Sequence, residues 1–138
     1  MMLFSQVSGL PVVTLTEAAQ LGTVASLTVD ARSGALTHVR VRGRRPRKET
    51  VLAWDAVHAI GPDAVLVRSA AAAESAPPRH DLPGSRVLTE TGDAWGTVQD
   101  VAFDPESGRV LTILTTRGEL PGDRMLGLGD HALVVRDG

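Results

Sequence analysis

One segment of the chain returns 74 residues later, and this internal duplication constrains the fold more than any other feature. Gly22-Thr-Val-Ala-Ser-Leu-Thr-Val-Asp-Ala-Arg-Ser-Gly34 aligns with Gly96-Thr-Val-Gln-Asp-Val-Ala-Phe-Asp-Pro-Glu-Ser-Gly108, sharing both glycines, Thr, Val, Asp and Ser. A second match, Gly61-Pro-Asp-Ala-Val-Leu-Val-Arg68 with Gly129-Asp-His-Ala-Leu-Val-Val-Arg136, lies at a shift of 68. The second copy is therefore shorter in its middle. A chain of 138 residues divided this way holds two units of roughly 60–70 residues, each too small to bury a large core alone.

Each copy reads as short strands. Ala25, Leu27 and Val29 alternate with Ser26, Thr28 and Asp30, and Val101 and Phe103 take the places of Leu27 and Val29. Alternation with period two predicts strands with one buried face. Val24 and Val98 interrupt it at matched positions, which predicts a bulge or a strongly twisted strand start in both copies. Asp30–Gly34 and Asp104–Gly108 have the chemistry of hairpin turns: Asp bonds the following backbone, and glycine supplies the left-handed residue. Further strands are expected at Leu36–Arg42, Val110–Thr116, Ala64–Arg68 and Ala132–Arg136. No stretch keeps helical periodicity over three turns. The expected class is all-β, two tandem small barrels related by duplication. Residues 1–70 form the first repeat, 71–80 a linker that Pro77-Pro78 keeps from continuing as helix, and 81–138 the shortened second repeat.

Composition narrows the function classes. The absence of cysteine removes disulfide frameworks, thiolate metal sites and a Cys nucleophile. Two Phe, two Trp and no Tyr leave valine and alanine to fill most of the core. Arginine outnumbers lysine 13 to 1, a bias that goes with a GC-rich, bacterial coding sequence. The N-terminus lacks a basic region followed by an apolar run, and no stretch is long enough for a membrane helix, so a cytoplasmic location is expected. The formal charge of −2 averages two unlike halves: +3 over residues 1–70 and −5 over residues 71–138.

The Gly-x-Val strand start, the Asp-x-x-x-Gly hairpin and Trp54-Asp-Ala-Val57 before Ile60-Gly-Pro-Asp-Ala-Val-Leu-Val67 resemble the PRC-barrel family. That family takes its name from the photosynthetic reaction-centre H subunit and includes the C-terminal domain of a ribosome-maturation factor. The resemblance covers Leu3–Arg68 well and Asp81–Arg136 less closely, the Trp-Asp-Ala-Val turn being lost from the second copy. It implies a tandem pair of PRC-type β-barrels that bind other macromolecules rather than catalyse a reaction.

Candidate sites are few. Six of the 14 basic residues lie between Arg40 and Lys48. His38, Arg40 and Arg42 share the outer face of one expected strand, and Arg44, Arg45, Arg47 and Lys48 follow in the next loop. Such a cluster suits phosphates of RNA or of an acidic membrane surface. The plainer reading, which comes first, is a solvated basic hairpin, free or docked on the acidic second repeat. The matching strand carries Thr112, Leu114 and Thr116, a neutral and partly apolar face that fits cover by the first repeat or by another chain. Trp54 reads as core or lid packing, and Trp95 as a half-exposed residue at a strand start.

Catalytic, cofactor and metal positions are not expected. His38, His58, His80 and His131 lack metal-site spacing, Asp100, Asp104 and Glu106 read as an acidic turn, and no phosphate loop or nucleophile motif is present. The expected function is a non-catalytic adaptor for a protein partner, with the repeats packed together and a homo-oligomer also compatible. The alternative is an anionic-polymer module built on Arg40–Lys48.

Overall fold

The computed structural model describes residues 1–43, 49–75 and 77–137. In chain order these form β1 (Met2–Leu3), one helical turn α1 (Phe4–Val7), β2 (Pro11–Thr14), β3 (Gln20–Asp30), β4 (Ala35–Arg42), β5 (Glu49–Ala53), β6 (Val57–Ile60) and β7 (Val65–Val67). The second copy supplies β8 (Arg86–Thr89), β9 (Ala94–Phe103), β10 (Val110–Thr115), β11 (Gly118–Pro121), β12 (Met125–Leu128) and β13 (Leu133–Val135). Two curled sheets result, ordered β5-β4-β3-β2-β7-β6 and β11-β10-β9-β8-β13-β12. Strand for strand the orders are the same, so the duplication seen in sequence is a duplication of topology. In each sheet one parallel pair, β2 with β7 or β8 with β13, accompanies antiparallel neighbours. The chain is two tandem small β-barrels, as the repeat implied.

The bulges repeat as well. The register of β3 on β4 skips between Val24 and Ser26, and that of β9 on β10 skips between Asp100 and Val98. The extra residues are Ala25 and Gln99, beside the valines that break the alternation. Bulges increase local twist and curl a sheet, which helps so small a barrel to close. Both hairpins turn through left-handed glycines, Gly34 at φ 71° and Gly108 at φ 79°.

Sequence divergence hid one shared element. Trp54–Ala56 forms a 3-10 turn, and Gly122–Arg124 forms its counterpart. The turn is therefore retained although its Trp-Asp-Ala-Val spelling is not. Its anchor is duplicated: Arg68 Nη1 donates to the Asp55 carbonyl at 3.0 Å, and Arg136 Nη2 donates to the Asp123 carbonyl at 2.7 Å.

The two hairpin ends meet at a local two-fold axis. Leu36 N donates to Gly108 O and Val110 N to Gly34 O, both at 2.8 Å. A shift of 74 exchanges these two bonds, and the bridge between Ala35 and Arg109 lies on the axis. Trp54 reaches across it: a Cβ on Gly108 would stand 2.9 Å from Trp54 Cε2. Buried side chains of both copies form one continuous apolar cluster.

The N-terminus breaks the symmetry. Residues Met2 and Leu3 pair antiparallel with Phe103 and Ala102 of the second sheet. Phe4 follows into the core and meets Phe103 edge-to-face, with ring centroids 5.5 Å apart. Ser5 N and its hydroxyl then bond the Asp100 carboxylate. The edge of β9 beyond β8 is thus closed by the opposite end of the chain.

Candidate functional site

The outer face of β4 is where the basic cluster was expected, and its residues have separate fates. Val39 and Val41 point into the core, so period two sends His38, Arg40 and Arg42 outward. The linker lies across this face. Ala73 N donates to Val51 O at 2.7 Å, and Arg40 Nη2 donates to the Pro77 carbonyl at 2.8 Å. Arg79 bonds Glu49 at 3.0 Å and Asp81 at 3.3 Å.

Arg40 is left only 9% exposed, with Nε buried and unpartnered. Its charge holds the linker and is withdrawn from the surface. His38 is half-buried beside it; burial first, and then the Arg40 charge, lower its pKa below the ordinary value of 6.5.

Arg42 is exposed, while Arg44, Arg45, Arg47 and Lys48 lie outside the described residues. Both ion pairs among the described residues belong to Arg79, so neither Arg40 nor Arg42 is paired there with the acidic second repeat. On β10, Thr112 and Leu114 are half-buried, and Thr116, in the turn just beyond the strand, is exposed. Among the described residues the hydrogen bonds between copies run through the hairpin ends and the N-terminus rather than through these three residues.

The acidic turn is structural. Asp104 accepts from Glu106 N at 2.9 Å and Ser107 Oγ at 3.0 Å, and these bonds hold its carboxyl below the usual range. Trp95 is half-buried with the Arg117 guanidinium 5.2 Å above its ring. Among the described residues no three His, Asp or Glu side chains gather where they could hold a metal, and no helix is long and apolar enough to cross a membrane.

Among the grooves at the junction of the copies, two are the larger. One, of about 240 Å³, runs between the two bulges and includes Phe4, Ala25, Ser26, Gln99 and Asp100. The other, of about 560 Å³, lies along Thr28–Arg32, between Pro77-Pro78 of the linker and Leu126–Leu128 of β12. Sequence reading passed over the second groove because its walls come from three distant segments. One signal was available: a shift of 75, which superposes Gly9-Leu10 on Gly84-Ser85, also sets Pro77-Pro78 against Met2-Leu3.

Duplicated sheets of one topology, closed by matched bulges and matched 3-10 turns, define a tandem small-barrel protein. The PRC-barrel domain model matches residues 1–73 and again residues 78–137. The chain belongs to the PRC-barrel family, as two tandem copies. No curated protein matches it.

Proposed function

We propose that this chain is a non-catalytic adaptor that binds a protein partner on the surface of its paired barrels. The observation supporting this reading is the character of the larger junction groove. Its walls combine apolar and small polar groups with Asp30, Arg32, His38 and His80, drawn from both copies and the linker, with Leu126 39% exposed on one side. Apolar surface rimmed by polar groups suits a protein contact. Membership of a family whose domains are generally non-catalytic supports the first half of the reading.

Affinity capture from native lysate tests it: a saturable protein partner is expected, and recovery of none would overturn the adaptor. Titration with bulk RNA and with anionic vesicles at low and moderate salt tests the alternative. Withdrawal of Arg40 beneath the linker leaves that alternative to Arg42, Arg44, Arg45, Arg47 and Lys48. Charge reversal at Arg44, Arg45 and Arg47 should leave partner capture unchanged. If it abolishes capture and RNA binds instead, the anionic module replaces the adaptor.

A further inference from the structure

The duplication supplies a reference for each position, and one corner of the second copy departs from it. In the first copy Arg68 anchors the 3-10 turn through Nη1, which donates to the Asp55 and Val57 carbonyls, both at 3.0 Å. Its counterpart Arg136 makes only the first of these bonds among the described residues, from Nη2 to the Asp123 carbonyl at 2.7 Å. The backbone bond from Arg68 N to Ala56 O returns as Arg136 N to Arg124 O, so Arg124 stands where the first copy has Ala56. Val12 pairs with Gly22 as Val87 pairs with Gly96, so Trp95 stands where the first copy has Leu21.

The three departures meet in one place. Arg124, Arg136 and Trp95 line a pocket of about 60 Å³, together with Leu120, Val135 and Asp137. All of its residues belong to the second copy. Leu120 and Val135 are buried, Trp95 and Arg124 half-buried, and Arg136 and Asp137 exposed. Two arginines against one aspartate leave the wall with a net positive charge. Both ion pairs among the described residues belong to Arg79, so neither arginine is paired there with Asp137 or another carboxylate. Two like charges beside an apolar wall are screened less than on open surface. An anion between them relieves their repulsion and accepts charge-assisted hydrogen bonds from both.

We propose that this pocket binds a phosphate group, held between the guanidiniums of Arg124 and Arg136. The site is independent of the adaptor reading and would stand if that reading fell. Its volume is several times the roughly 10–15 Å³ that a single water needs, which suits one small oxyanion. Guanidinium forks match pairs of phosphate oxygens, and a dianion answers the positive wall more fully than a halide does. The Arg117 guanidinium, 5.2 Å from the centre of the Trp95 ring, adds a further positive charge nearby. In the first copy the same corner holds one arginine, committed to two carbonyls, beside Leu21 and Ala56. Free phosphate and the phosphate of a small monoester share this chemistry.

The test titrates the full-length chain with inorganic phosphate at constant ionic strength. Binding is read by calorimetry, and by Trp95 fluorescence in Trp54→Phe, where Trp95 is the one remaining tryptophan. Saturable binding is expected by both. Arg124→Ala installs the residue that the first copy's turn already carries, and Arg124→Gln keeps a long side chain without the charge. Each should weaken binding by about tenfold or more with unchanged circular dichroism, as loss of a charge-assisted contact requires. Arg42→Ala, at an exposed arginine of the first copy, should leave binding unchanged. Glycerol phosphate binding within a few-fold of inorganic phosphate would support a site for monoesters, and its exclusion would support a site for the free ion. Absence of saturable binding, an equal response to chloride, wild-type affinity in both Arg124 variants, or an equal loss in Arg42→Ala would overturn the proposal.

Discussion

At single positions the structure explains why particular letters survive in both copies. Gly22 and Gly96 open the repeated Gly-Thr-Val at φ 155° and 99°. A Cβ at Gly22 would collide with the Arg42 carbonyl, standing 2.8 Å from its carbon, and one at Gly96 would press on the Thr116 hydroxyl. A backbone carbonyl yields less readily than a hydroxyl. Gly22→Ala should therefore destabilise by about 2–3 kcal/mol and Gly96→Ala by less, read as a lowered urea midpoint with unchanged slope.

His38 carries a pH dependence of definite sign. Its folded pKa lies below 6.5, so the unfolded chain binds the proton more readily. The stability it contributes is present above that value and is lost as pH falls from 6.5 through the folded pKa. Melting temperatures at about pH 5 and pH 7.5 should differ less in His38→Gln than in wild type. An equal difference would show that the loss on acidification comes from other groups.

Elements were legible where both copies carried the same physical signal. Period-two alternation located β3 and β9, the paired valines located their bulges, and Asp with Gly located both hairpins. Two features escaped. The second 3-10 turn was obscured because its conformation depends on Asp123 and the Arg136 anchor, while the tryptophan, its most visible letter, serves another purpose by packing on Gly108. The β1–β9 pairing was obscured because a two-residue strand has no period, and its counterpart in the duplication is Pro77-Pro78. That pairing also makes Phe4 a core residue of the second sheet. Phe4→Ala should cost about 3–5 kcal/mol, measured by urea unfolding, and should speed amide exchange at Ala102 and Phe103 more than at Thr28 and Val29. Similar acceleration at both places would contradict the assignment of this strand to the second sheet alone.

At the scale of the whole molecule the candidate surface was the least legible part. The basic cluster stood out in the sequence, yet burial of Arg40 depends on a linker that no local pattern places over β4. The groove beside β3 is lined by three segments far apart in sequence, which only the fold brings together. Neither copy is self-sufficient: the first hairpin bonds the second, Trp54 packs on Gly108, and Met2–Phe4 close the opposite sheet. A fragment of residues 1–75 should therefore be poorly soluble and lack a cooperative transition, since units of this size are marginal even when fully closed.

The central claim is that two family domains have become one cooperative unit, and the two tryptophans can test it separately. Trp54→Phe leaves Trp95 to report on the second copy, and Trp95→Phe leaves Trp54 to report on the first. In urea each variant's tryptophan fluorescence should track its own far-ultraviolet circular dichroism in a single coincident transition. A fluorescence transition displaced from the circular dichroism transition in either variant would mean that the copies unfold independently, and the single-unit account would be wrong.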